Sequence, residues 1–129
     1  MFTWPTQIRL YDTDASGRIF YASLFRIAHD AVEAFMESRN HAVSRYLSNS
    51  DCTLAIAHAE ADYTAPMQTG DKVDVNVSVE RVGNASFTIT YQFVVNGRET
   101  ARAKTIHVSI ATATGTSCPL PGDLRALLA

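Results

Sequence analysis

An α+β fold, one long helix wrapped by a curved antiparallel β-sheet, follows from three features of this 129-residue sequence. From Ile19 to Met36, apolar side chains recur at helical spacing. Residues 73–79, 87–95 and 98–110 read instead as β-strands, joined by short turns at Gly83–Asn84 and Asn96–Gly97. Both patterns leave an apolar face that needs a cover, and packing the helix on the sheet buries the two together.

The elements follow in chain order. Phe2, Trp4, Thr6, Ile8 and Leu10 alternate and predict a strand over Phe2–Tyr11, with Pro5 confining its pairing to Thr6 onward because proline has no N–H to donate. The long helix carries Leu24, Ile27, Ala28, Ala31, Val32 and Phe35 on one face and Ser23, Arg26, Asp30, Glu33 and Glu37 on the other. Val43, Tyr46 and Leu47 suggest a short second helix, ended by a turn at 48–51. Leu54–Tyr63 is alanine-rich, yet alternation makes it a strand with Leu54, Ile56, His58, Glu60 and Asp62 on one face. Pro66 ends its regular pairing, and Gly70–Asp71 supplies a turn before Lys72. Val73, Val75, Val77 and Val79 begin a three-strand antiparallel meander that continues through about Ile110. Pro119 and Pro121 interrupt the tail, and Asp123–Leu128 forms one or two helical turns.

Composition narrows the function. A hydrophobic fraction of 47% suits a single domain, residues 1–129, with a short C-terminal tail. Eleven basic against thirteen acidic side chains give a net charge of -2, and no basic tail points to nucleic acid. The opening MFTWPTQIR has no signal-peptide core, and no stretch has the length of a membrane span, so a cytoplasmic protein without a membrane partner is expected. Cys52 and Cys118 belong to no CxxC pair and read as ordinary reduced thiols.

Chemistry concentrates where YDTDASG meets the helix. Asp12 and Asp14 stand before a helix entrance whose backbone N–H groups can bind an anion or a developing oxyanion. Either acid can serve in capping or backbone hydrogen bonding; either can attack a carbonyl or activate water. Gly17 permits a tight backbone at that approach, although no dinucleotide or phosphate-loop motif surrounds it. His29 suits packing or substrate positioning. His58, Glu60 and Asp62 alternate like metal ligands, but successive side chains at about 6–7 Å are too far apart for one small ion, and no metal site is expected. Arg81, Arg98, Arg102, Lys104 and Arg125 are candidate anion contacts, with Arg102 and Lys104 on one strand face. His107 reads as structural or interfacial, and Ser44, Ser86 and Ser109 lack a nucleophile elbow.

The segment YDTDASGRIFY, residues 11–21, strongly resembles the opening active-site segment of hotdog-fold acyl-CoA thioesterases of the 4-hydroxybenzoyl-CoA thioesterase-like branch. ADYTAPMQTGDKV, residues 61–73, extends the resemblance over the whole globular body. RLYDTDASGRIFYASLFRIAHDAVEAF, HAEADYTAPM and PLPGDLRALL are similar, more narrowly, to thioesterases for 1,4-dihydroxy-2-naphthoyl-CoA. The resemblance implies a hotdog fold and a homodimer or homotetramer whose subunits jointly form the active sites. It implies that Asp14 is the catalytic carboxylate, as nucleophile or general base, and that the Tyr21 backbone N–H stabilises the oxyanion. Gly17, His29, His58 and Arg102 are the substrate-binding candidates. CoA enters as part of an aromatic acyl-CoA substrate and leaves as a product, so no catalytic cofactor is implied. Alternatives are a thioesterase for aliphatic acyl-CoA or acyl-carrier protein, and a noncatalytic acyl-CoA binding protein.

Overall fold

The structure, a computed structural model, describes residues 1–40 and 51–129. Five strands, β1 (Phe2–Gln7), β2 (Cys52–Tyr63), β3 (Lys72–Val82), β4 (Ser86–Val95) and β5 (Arg98–Ala111), form one sheet in the order β1-β3-β4-β5-β2. Every neighbouring pair is antiparallel. Helix α1 (Tyr21–Ser38) packs on β1 and β3, and a short helix α2 (Gly122–Leu128) packs on β3. The short helix suggested around Val43, Tyr46 and Leu47, and most of the turn after it, lie outside the described residues.

The helical periodicity translates directly into burial. Leu24, Ile27, Ala28, Ala31, Val32 and Phe35 are all buried, joined by Met36. Across the core they meet Val73, Val75 and Val77 of β3 and Phe87, Ile89, Tyr91 and Phe93 of β4. At Asn96–Gly97 both residues have positive φ, 51° and 75°, as a tight two-residue hairpin turn requires. The same core includes Leu120, Leu124, Leu127 and Leu128 from the end of the chain. Leu124 has no exposed surface, so Leu124→Ala is expected to cost about 2–5 kcal/mol in urea unfolding, as for other cavity-forming core truncations.

Three boundaries differ from the sequence expectation. β1 pairs from Phe2, opposite Val77, and Pro5 sits within the ladder opposite Asp74. It is tolerated there because β1 is an edge strand. The strand stops at Gln7 rather than Tyr11, since Arg9 N–H turns back onto the Asp12 carboxylate and starts a 3-10 turn over Leu10–Asp12. Finally, α1 begins two residues later than Ile19.

β2 carries the largest correction. A register shift between Ile56 and His58 inserts Ala57 as a bulge against β5. One extra residue exchanges the faces, so the expected row of Leu54, Ile56, His58, Glu60 and Asp62 is split. Leu54 and Ile56 lie opposite Ser109 and His107 on the helix side. His58, Glu60 and Asp62 lie opposite Ile106, Lys104 and Arg102 on the outer side. Strand alternation then carries Ala59, Ala61 and Tyr63 to the helix side.

Candidate active site

Residues 8–20 form a loop whose conformation is set by one buried carboxylate. Asp12 is only 1% exposed. Its carboxylate accepts the Arg9 N–H at 2.9 Å and pairs with the Arg26 guanidinium from α1, and its carbonyl accepts the Phe20 N–H at 2.9 Å. Arg26 also reaches Asp30 at 2.9 Å, bracing the approach against the first half of the helix. Ile19 N–H to the Met67 carbonyl ties the loop to the segment that follows β2.

Asp14 lies at the tip of this loop and is exposed. Its N–H donates to the Arg18 carbonyl, and the Gly17 N–H donates to the Asp14 carbonyl, both at 3.0 Å. Gly17 closes the turn at φ +78°, a conformation that suits residues without a Cβ. The Asp14 carboxylate accepts the Ser16 hydroxyl and, at 2.8 Å, the Ser16 backbone N–H. These two bonds, the hydroxyl first, hold the Asp14 pKa below the usual carboxylate value. Asp14 is therefore an ionised, oriented carboxylate at neutral pH.

Facing it is an uncapped helix end. Phe20 occupies the N-cap and has no side-chain oxygen to offer the first turn. Ser23 N–H bonds the Phe20 carbonyl and Phe20 N–H bonds Asp12, which leaves the N–H groups of Tyr21 and Ala22 without an intrahelical acceptor. Asp14, Arg18, Ile19 and Tyr21 share a cleft of about 420 Å³ with the Tyr63–Pro66 segment. The Tyr63 hydroxyl donates to the Tyr21 carbonyl at 2.6 Å, fixing the far wall to the helix entrance. A fixed anion that shares a cleft with N–H donors lacking an intrahelical acceptor is an arrangement that can serve acyl transfer: one group can deliver or activate a nucleophile, and the other can receive charge from a carbonyl oxygen.

The remaining candidates lie elsewhere on the chain. His29 is about 12 Å further along the helix axis than Tyr21 and pairs with Glu33 at 3.2 Å. His58 meets Glu60, and Arg102 meets Asp62, each at 3.3 Å on the outer face of the sheet. Arg102 and Lys104 do share that face, where Lys104 pairs with Glu80 at 3.1 Å. The structure adds Ser16 and Tyr63 to the site. The Asp-x-Ser spacing was the available signal for Ser16, because an aspartate commonly accepts hydrogen bonds from the residue two positions on. The family resemblance of residues 61–73 includes Tyr63, and by that resemblance the His58–Tyr63 strand is a wall of the acyl cavity; the contact with Tyr21 spans 42 residues and has no local signal.

His107 is buried against the sheet, its ring stacked on Phe87 at 4.7 Å. Burial first, and the nearby His29 second, push its pKa from 6.5 down to about 4. Between those values the unfolded chain binds the extra proton, so stability rises with pH across this window and is lost as pH falls through it. The expected loss on going from about pH 7.5 to about pH 5 is roughly 2 kcal/mol, and His107→Gln removes it. Urea unfolding of both proteins at the two pH values measures the difference.

Fold and cleft together describe a hotdog-type domain with an exposed carboxylate beside its helix entrance. Comparison with known proteins agrees: residues 8–128 match the thioesterase-like superfamily. The chain is 35% identical over 127 residues to a 1,4-dihydroxy-2-naphthoyl-CoA hydrolase of Rippkaea orientalis, covering 96% of this chain and 92% of that one. It is 31% identical over 123 residues to the enzyme of that name from Nostoc punctiforme, covering 95% and 83%. The crystal structure of a 1,4-dihydroxy-2-naphthoyl-CoA thioesterase from Synechocystis superposes with a TM-score of 0.94 at 29% identity, covering 98% and 94%. The chain belongs to the thioesterase-like superfamily and has its hotdog fold. Among the described residues, no helix is long and apolar enough to cross a membrane.

Proposed function

We propose that the protein hydrolyses an aromatic acyl-CoA, with 1,4-dihydroxy-2-naphthoyl-CoA as the substrate that its relatives favour, giving the free acid and CoA. The observation that carries this reading is the placement of the Asp14 carboxylate and the uncapped N-terminus of α1 in one cleft. The thioester carbonyl lies between them. Asp14 attacks the carbonyl carbon or takes a proton from the attacking water, and the N–H groups of Tyr21 and Ala22 stabilise the oxyanion. Collapse of the tetrahedral intermediate breaks the C–S bond and expels the CoA thiolate, which takes up a proton; where Asp14 is the nucleophile, water then cleaves the mixed anhydride it has formed, releasing the free acid and regenerating the carboxylate. Ser16 and Gly17 act on Asp14 by holding it in place, and Tyr63 acts by holding the helix entrance.

The functional unit in this reading is a homodimer or larger homo-oligomer. β2 is a twelve-residue edge strand with one side that pairs with no other strand among the described residues, a feature that soluble monomers avoid. Tyr21, Ile56 and Tyr63, on or beside it, expose between 44% and 67% of their surface. A second subunit against this edge covers them and closes the cleft.

The test is a matched thioester panel: 1,4-dihydroxy-2-naphthoyl-CoA, 4-hydroxybenzoyl-CoA, aliphatic acyl-CoAs and acyl-carrier-protein thioesters. The two aryl-CoAs are expected to exceed the others in kcat/KM by about tenfold or more, the scale set by a well-fitted pocket. Preferential hydrolysis of the carrier-protein thioesters refutes the substrate assignment, and binding without turnover refutes the enzymatic one.

A further inference from the structure

The row of buried polar side chains on β4 and β5 has no part in the chemistry above. The Tyr91 hydroxyl lies 2.7 Å from Thr105 Oγ1, which lies 2.8 Å from His107 Nε2. All three residues are less than 8% exposed. They form the floor of a cavity of about 100 Å³ whose other walls are Phe25 and His29 of α1 and Ile56 and Ala59 of β2. Apart from His29 these walls are apolar, so hydrogen-bonding groups reach the cavity from the polar row on the sheet and from His29 on the helix.

This cavity lies in line with the Asp14 cleft. α1 and β2 run past one another in opposite directions: Tyr21 meets Tyr63 at the cleft, while Phe25 and His29 face Ala59 and Ile56 beyond it. α1 packs on β1 and β3, and the bulge at Ala57 brings the small Ala59 to the helix side, so the space beside β2 stays open. Phe25 and His29 stand about 6 and 12 Å along the helix from Tyr21, the reach of a one- or two-ring acyl group whose carbonyl is held at the helix entrance. His29 and His107 approach the cavity from opposite sides, one from the helix and one from the sheet. Neutral His107 offers one donor and one acceptor, and the two hydroxyls add further capacity of both kinds.

We propose that this cavity receives the distal part of a hydroxylated aromatic acyl group, with the His107–Thr105–Tyr91 row and His29 hydrogen-bonding its ring hydroxyls. The proposal rests on the aryl-CoA reading and assigns its specificity. A hydrocarbon chain would gain nothing from the polar floor, whereas a ring hydroxyl replaces the water it loses on entry. The groups of the row bond one another, and their remaining donor and acceptor capacity, with that of His29, gives a hydroxylated ring hydrogen bonds that the analogue lacking the hydroxyls cannot make.

The experiment compares kcat and KM for 1,4-dihydroxy-2-naphthoyl-CoA and for 2-naphthoyl-CoA, which lacks the hydroxyls, in the wild type, His107→Phe, Thr105→Val and His29→Ala. The wild type is expected to favour the hydroxylated ester by about 10- to 100-fold in kcat/KM, and each variant to lower that ratio by about fivefold or more, chiefly through KM. Because the readout is a ratio between two substrates, a general loss of activity leaves it unmoved. An unchanged ratio in the variants, or no preference in the wild type, overturns the proposal. His29 is half exposed, so His29→Ala decides the matter if the buried variants fail to fold. Wild-type protein inactive on both esters defeats the aryl-CoA reading itself; equal hydrolysis of both defeats this inference alone.

Discussion

Asp14→Asn is expected to lower kcat/KM for thioester hydrolysis by about 10²- to 10⁴-fold, the range for loss of a positioned general base or nucleophile, and to leave the unfolding midpoint where it was. Both halves of the expectation come from the same surroundings. Asp14 is exposed, and its side-chain partners come from Ser16, two residues away, so amidation disturbs no packing. The amide oxygen can still accept from Ser16, which keeps the loop in place while removing the negative charge. Release of CoA thiol, measured alongside circular dichroism and thermal unfolding, separates the two effects. A variant that folds normally and turns over at the wild-type rate rules out the role given to Asp14.

Asp12→Ala should show the opposite profile, losing about 2–4 kcal/mol of stability. The carboxylate is buried, and its removal strands the Arg9 N–H and releases Arg26 from the partner that fixes it to the loop. The cost stays below that of breaking a fully buried ion pair because the Arg26 side chain is 49% exposed and keeps Asp30. Asp12→Asn preserves an acceptor for Arg9 and should cost less. Urea unfolding of the two variants gives the order. Equal stability of Asp12→Ala and wild type contradicts the bracing role.

The helix and the meander were legible because their signals are local. Leu24 through Phe35 repeat at the helical period, and Asn96–Gly97 has the residue types that accept positive φ. The site was legible in part. YDTDASG could be read as acids before a helix entrance, and the family resemblance distinguished Asp14 from Asp12. The hydrogen bonds by which the Ser16 hydroxyl orients Asp14 and the Tyr63 hydroxyl anchors Tyr21 emerged only from the structure.

By itself the sequence determined the α+β class, the buried face of α1, the strand alternation and the superfamily, since periodicity, turn chemistry and motif are properties of neighbouring residues. Tertiary structure decided which aspartate is buried and which is exposed, although two residues separate them. It also decided that His58, Glu60 and Asp62 face away from the helix while Ile56 and Ala59 face it. These outcomes depend on the Arg26–Asp12 contact across 14 residues and on a bulge defined only by pairing with β5. Burial and register are relations between distant parts of the chain, and local pattern carries no record of them.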